Sequence, residues 1–160
     1  MSLILGIDPG PEKSAAVLWS PSLGEIIRHE TLDNEFICAS LKLGGFHLVQ
    51  IEDLEYRGLK IGGSTLETAR WIGEFRRICK DHKIDYRLVP PSMVRIYHCG
   101  VAAVNRTNVW HAIIERFGGW ETAMGRKATP GPLYGFRGND HEHERSALAV
   151  ALWEPEGGGA

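Results

Sequence analysis

The sequence predicts a mixed α/β sheet of five strands with helices on both faces. Two observations carry this. The first is a set of three short apolar runs near the N-terminus, separated by tight Pro/Gly and Ser/Gly turns, as in an antiparallel meander. The second is the later alternation of apolar runs with segments of helical period, which adds parallel strands through helical crossovers.

Leu3–Ile7 and Ala15–Trp19 read as strands flanking the turn Asp8-Pro9-Gly10, and Glu25–Thr31 as a third strand after Ser22-Leu23-Gly24. Asp33 to about Leu43 reads as a helix, with Phe36, Ile37, Ser40 and Leu41 spaced for one face and Gly44-Gly45 as its stop. Phe46–Ile51 is apolar at most positions, as in a strand covered on both faces. Ser64–Lys80 has an apolar stripe of Leu66, Ala69, Ile72, Gly73 and Ile78, with Ser64 and Glu67 spaced as a capping box. Ile84–Val89 is the fifth strand, ended by Pro90-Pro91. Helices follow over Ser92–Tyr97, over about Asn105–Phe117 and over about Asp140–Trp153. Gly118–Gly138 reads as a long loop rich in Gly, Pro, Lys and Arg, a length more often functional than idle.

The 160 residues fit a single domain, 1–160, with 154–160 as a flexible Gly-rich tail. A net charge of -2 excludes a globally basic nucleic-acid binder and leaves room only for local basic patches. Cys38, Cys79 and Cys99 are odd in number and widely spaced, which suits buried thiols in a reducing compartment better than a disulfide or zinc framework. No apolar run is long enough for a membrane span and no cleavable leader is visible, so a cytoplasmic protein without membrane contact is expected.

Carboxylates fall where the strongest elements end or begin. Asp8 ends the first strand, Glu52 follows the fourth in "VQIEDLEYRG", and Asp140, Glu142 and Glu144 open the last helix in "GNDHEHERSALAVAL". Strand ends of open sheets are where ligands bind. Three elements delivering carboxylates to one sheet edge repel one another unless cations lie between them. Mg²⁺ prefers such hard oxygen donors, and two such ions clamp the attacking and leaving oxygens of a phosphodiester. Each piece also has an ordinary reading: Asp8 as a turn residue, Glu52-Asp53 as a solvated strand end, the last group as a helix start complementing its dipole.

These residues resemble the RuvC-like Holliday junction resolvases of the ribonuclease H-like superfamily. "LGIDPGPEKSAAVLW" resembles their first strand, in which an Asp in a G-[IV]-D-P-G turn is a metal ligand. "VQIEDLEYRG" resembles their second acidic motif, and "HEHERSALAVAL" their final helix, where Asp or His and then Asp precede an Ala-Leu-Ala run. The resemblance implies a ribonuclease H-like mixed five-stranded sheet. It also implies a crossover junction endodeoxyribonuclease that cuts four-way DNA junctions as a homodimer. Two Mg²⁺ ions per active site, replaceable by Mn²⁺, belong to the same expectation.

Anchoring on Ala147-Leu148-Ala149 puts His143 on the Asp/His position of that pattern and Ser146 where its second acid stands. The catalytic set expected is Asp8, Glu52, Asp140 and His143, with Glu144 added as a metal ligand. Asp140 or Glu144 restores the missing charge, because Asp140, His143 and Glu144 share one face of a helix beginning near Asn139. On that helix His141 and Glu142 face away. Arg57, Lys60, Arg70, Arg106, Lys127 and Arg137 are the candidate DNA contacts, and Tyr56 either stacks on a base or packs in the core. Two other readings stay open. Ser146 suits a branched-DNA-binding module without cleavage, and "GIDPG" resembles the phosphate turn of actin- and sugar-kinase-like ATP-handling proteins, which need two such domains.

Overall fold

The computed structural model describes residues 2–56, 58 and 60–156. Strands β1 (Ile4–Asp8), β2 (Lys13–Ser20), β3 (Glu25–Asp33), β4 (Leu48–Glu52) and β5 (Tyr86–Val89) form one sheet in the order β3-β2-β1-β4-β5. β1, β2 and β3 run antiparallel in sequence, whereas β4 lies parallel to β1 and β5 parallel to β4. This is the mixed five-stranded sheet of the ribonuclease H-like fold.

Side chains alternate between the sheet's two faces. Leu5, Ile7, Ala16, Val49 and Ile51 form one core with helices α1 (Asn34–Leu43) and α2 (Gly63–Asp81). Ala15, Val17, Trp19 and Val89 form the other with α3 (Pro91–Cys99), α4 (Arg106–Arg116), α5 (Trp120–Met124) and α6 (Glu142–Ala151). Among the described residues no helix is long and apolar enough to cross a membrane.

Three expectations are corrected. Ser64 does not cap α2: Gly62 is the N-cap, Ser64 lies inside the helix, and Glu67 pairs with Arg70 instead. The segment 118–138 is not an open loop, because it contains α5 and a 3₁₀ turn at Tyr134–Phe136 and fully buries Leu133 and Phe136. The last helix starts at Glu142 and not Asp140, since Asn139–His141 is a separate 3₁₀ turn.

Helix α6 packs tightly on the sheet at Gly6. A Cβ there would stand 2.3 Å from the Ala147 carbonyl oxygen and 2.6 Å from the Ala151 Cβ, so α6 rests on bare backbone. Gln50, fully buried on β4, fastens the far end of α6. Its amide donates to the carbonyls of Val150 at 2.9 Å and Trp153 at 3.0 Å, groups that a helix end leaves without partners. Replacing Gly6 with Ala is therefore expected to lift α6 off the sheet and cost about 3 kcal/mol, the upper part of the overpacking range. Urea denaturation of Gly6→Ala measures this, and a loss below about 0.5 kcal/mol would contradict the packing described.

Candidate active site

Parallel pairing of β1 with β4 sets Ile7 beside Ile51, so Asp8 and Glu52 stand one residue further on at adjacent strand ends. Both belong to the sheet face covered by α6, two residues on from Gly6 and Gln50. The turn after Asp8 closes without its carboxylate. The Ser14 hydroxyl donates to Asn34 Oδ1 at 2.5 Å and accepts from the Gly10 N–H at 3.2 Å, while Asn34 Nδ2 donates to the Gly10 carbonyl at 3.0 Å. Asp8 is thus released from the duty of a turn residue. Though 94% buried, its Oδ2 instead meets His143 Nδ1 at 2.9 Å.

Burial, with the negative charge of Asp8 beside it, pushes the Glu52 carboxyl up to about 7. Arg106, Arg95 and His143 offset part of that effect. The hydrogen bond to Asp8 raises the His143 imidazole above its ordinary value, against a smaller opposing effect of burial. Two carboxylates, Asp8 buried and Glu52 half-buried, offer the hard oxygen donors that a divalent cation prefers. Asp8 and Glu52 supply donors of that kind, and His143 adjoins them through its contact with Asp8.

Beside Glu52 opens a cleft of about 360 Å³, lined on its polar side by Arg95, Arg106, Asn139, Glu142, Arg145 and Ser146. Arg106 follows the N-cap Asn105, whose side chain is locked in a reciprocal capping box with Asn108. Its guanidinium lies 3.6 Å from Glu142. Arg145 is held by the carbonyls of Phe136 (2.8 Å) and Gly138 (3.0 Å) and lies over the Trp110 ring. Glu55 accepts the Ser92 N–H at 2.6 Å and so joins the segment after β4 to the start of α3, which carries Arg95.

The structure brings Asp8, Glu52 and His143 together but separates the other expected members of the cluster. Asp140 is exposed in the 3₁₀ turn before α6 and does not line the cleft. Glu144 is buried on another side of α6, where it meets His29 and His141. Glu142 and His141 do not face away: Glu142 enters the cleft and His141 joins Glu144. The physical reason is the 3₁₀ turn, whose tighter winding breaks the helical phase between Asp140 and His143. Ser146 lines the cleft one turn below Glu142, to whose carbonyl its hydroxyl donates at 3.4 Å.

Of the candidate DNA contacts, Arg106 borders the cleft. Lys60, Arg70 and Lys127 are exposed, with Arg70 paired to Glu67. Arg137 lies 3.6 Å above the Tyr134 ring, and Arg57 falls outside the described residues. Tyr56 is 77% exposed and takes no part in the core. Arg95 and Arg145 were not singled out by the sequence, and Glu142, counted among the carboxylates of the last helix, was expected to face away. Arg145, three residues from Glu142 on the same helix, is the one that helical spacing could have indicated.

The ionisable pair gives a definite pH dependence to the metal-free protein. A carboxyl raised in the folded state destabilises the fold once pH passes its ordinary value of 4.5, and does so fully above about 7. His143 acts in the same direction, since stabilisation by its contact with Asp8 is lost as pH rises through the raised imidazole value. Metal-free Glu52→Gln should therefore unfold about 2–4 °C above the parent protein at alkaline pH, with the gap closing in mild acid. Calorimetry across that range measures it; an equal gap at both ends would contradict the assignment.

No protein-family profile and no curated protein sequence matches the chain. Solved structures do. Thermus thermophilus RuvC superposes with a TM-score of 0.65 at 14% identity, over 94% of this chain and 91% of that one. RuvC of the same organism in complex with a Holliday junction substrate gives 0.66 at 13% identity, over 95% and 91%. The yeast mitochondrial Holliday junction resolvase Ydc2 gives 0.60 at 16% identity, over 94% and 76%. The chain has the fold of the RuvC-like resolvases.

Proposed function

We propose that the chain is a divalent-metal-dependent, structure-selective endonuclease that resolves four-way DNA junctions by phosphodiester hydrolysis. The observation that carries this reading is the pair of buried Asp8 and half-buried Glu52 at adjacent strand ends, opening beside an arginine-lined cleft. The fold shared with RuvC and Ydc2 supports it.

In this reading Asp8, Glu52 and His143 hold the catalytic metal, with Glu142 supplying the further carboxylate that Ser146 lacks. Glu142 thereby replaces Asp140 and Glu144 in that role. Two bound Mg²⁺ ions, or Mn²⁺ in their place, supply Lewis acidity toward the scissile phosphate and its attacking water. Asp8 holds His143 by its Nδ1, fixing the ring at the edge of the pair. Arg106 exchanges its 3.6 Å contact with Glu142 for a DNA phosphate, leaving Glu142 free to turn toward Glu52. Arg95 adds positive charge near the phosphate, and Lys60, Arg70, Lys127 and Arg137 contact the duplex arms without reading sequence. In the same reading the exposed Tyr56 stacks on an unpaired base.

A homodimer belongs to the same reading, because a four-way junction has two symmetric strands to cut and a two-fold dimer presents two equal sites. We take α2, on which Leu66 is half exposed, as the interface element, since the apolar residues of the other long helix, α4, are covered within the chain. Light scattering that finds a monomer both free and with junction DNA would contradict it.

Asp8→Asn and Glu52→Gln should lower junction cleavage by about 100-fold or more while leaving gel-shift affinity unchanged or tighter. Affinity falling in step with cleavage would contradict a catalytic role. Glu142→Gln should slow cleavage at least tenfold, about 1.4 kcal/mol in barrier, and Asp140→Ala leave it within about twofold. The reverse order would restore Asp140. A second reading, a junction-binding protein without cleavage, is favoured by Ser146. Bound but uncut junctions under Mg²⁺ and Mn²⁺ would establish it.

A further inference from the structure

Outside the proposed active site, three ligand-bearing side chains from three elements converge between β3 and the start of α6. His29 on β3 meets Glu144 Oε1 through Nδ1 at 2.6 Å, and His141 meets Glu144 Oε2 through Nδ1 at 3.0 Å. The ligand atoms all lie within 4.8 Å of one another. Glu144 is 95% buried, whereas the two imidazoles remain partly open to solvent.

We propose that His29, His141 and Glu144 form a binding site for a transition-metal ion of the Zn²⁺ class, which fastens β3 to the start of α6. The donor set carries the choice of metal. Two imidazole nitrogens and one carboxylate favour Zn²⁺ over Mg²⁺, in contrast to the oxygen-rich pair Asp8 and Glu52. A tetrahedral Zn²⁺ ion with ligand bonds of about 2.0–2.2 Å sets its ligand atoms roughly 3.3–3.5 Å apart. The ligand atoms of the cluster, within 4.8 Å of one another, would draw together to reach that spacing.

The surroundings hold the ligands in orientation. The His29 ring stacks on Phe136 with centroids 4.1 Å apart. Its far edge lies against Gly135, where a Cβ would come within 2.6 Å of Nε2, so a side chain at 135 would push the ring aside. The Thr31 hydroxyl donates to Glu144 Oε2 at 3.3 Å, the kind of outer contact that orients a metal-binding carboxylate. Binding would displace the protons on the two Nδ1 atoms, and the fourth position would face solvent. Because His141 and Glu144 flank Glu142 and His143, an ion here would also steady the turn from which the cleft residues project.

The test is titration of the full, metal-free chain with Co²⁺ and with Zn²⁺, in Mg²⁺ sufficient to occupy the carboxylate pair. One equivalent of Co²⁺ should give the visible bands of a tetrahedral site. His141→Ala and His29→Gln should weaken it on the order of 100-fold, and Asp8→Asn should leave it intact. Imidazole ¹⁵N spectra of the unmutated protein give a measurement independent of variant folding: Zn²⁺ should shift the signals of His29 and His141 and spare His143. Failure to bind one equivalent overturns the proposal, as does a shift confined to His143. Binding lost in Asp8→Asn but kept in His141→Ala overturns it too, leaving the cluster a hydrogen-bonded brace only.

Discussion

The seating of α6 on the bare backbone of Gly6 is the constraint on which the site depends. With no side chain on β1 at that point, the helix comes down to touch the strand, its small residues Ala147 and Ala151 meeting the sheet directly. That close approach brings His143, at the helix start, within hydrogen-bonding distance of a carboxylate at the strand end. Gln50 holds the opposite end by capping its last carbonyls. Between these two anchors the position of every side chain on α6 follows from helical geometry: His143 at Asp8, Glu142 and Ser146 at the cleft, Glu144 at β3.

The electrostatics follow from the same packing. A helix this close excludes water from the strand ends, so Asp8 and Glu52 share a site of low polarity where like charges interact strongly. Glu52 bears the consequence, held protonated into the neutral range. Arg95 of α3 and Arg106 of α4 offset this repulsion only in part, because Arg106 already lies by Glu142, and the Arg145 guanidinium of α6 donates to carbonyls. A carboxylate pair left short of positive charge next to a cleft with positive walls suits a cation and a phosphate at once.

Much of this was legible in the sequence. The strands show as apolar runs bounded by Pro and Gly, and Asp8 and Glu52 stand at strand ends that the runs define to within a residue. Pairing and parallel direction follow from the order of the elements, so the meeting of the two carboxylates could be read without coordinates. The final helix was less legible. Asn139–His141 is three residues of tighter winding that composition does not distinguish from α-helix, and they shift Asp140 out of phase with His143. His29 gave no signal, since its partner Glu144 is 115 positions away and the contact depends on the register of β3. Phe136 and Leu133 were hidden in a segment whose Gly, Pro and basic residues outweighed its few apolar ones.

The central claim is that buried Asp8 and half-buried Glu52 are a carboxylate pair suited to a cation. The most direct measurement is the titration of the Glu52 side-chain carboxyl by ¹³C NMR, with and without Mg²⁺. The account predicts a midpoint near 7 in the metal-free protein, falling well into the acid range when Mg²⁺ is added. A midpoint near the ordinary 4.5, unmoved by Mg²⁺, would contradict it.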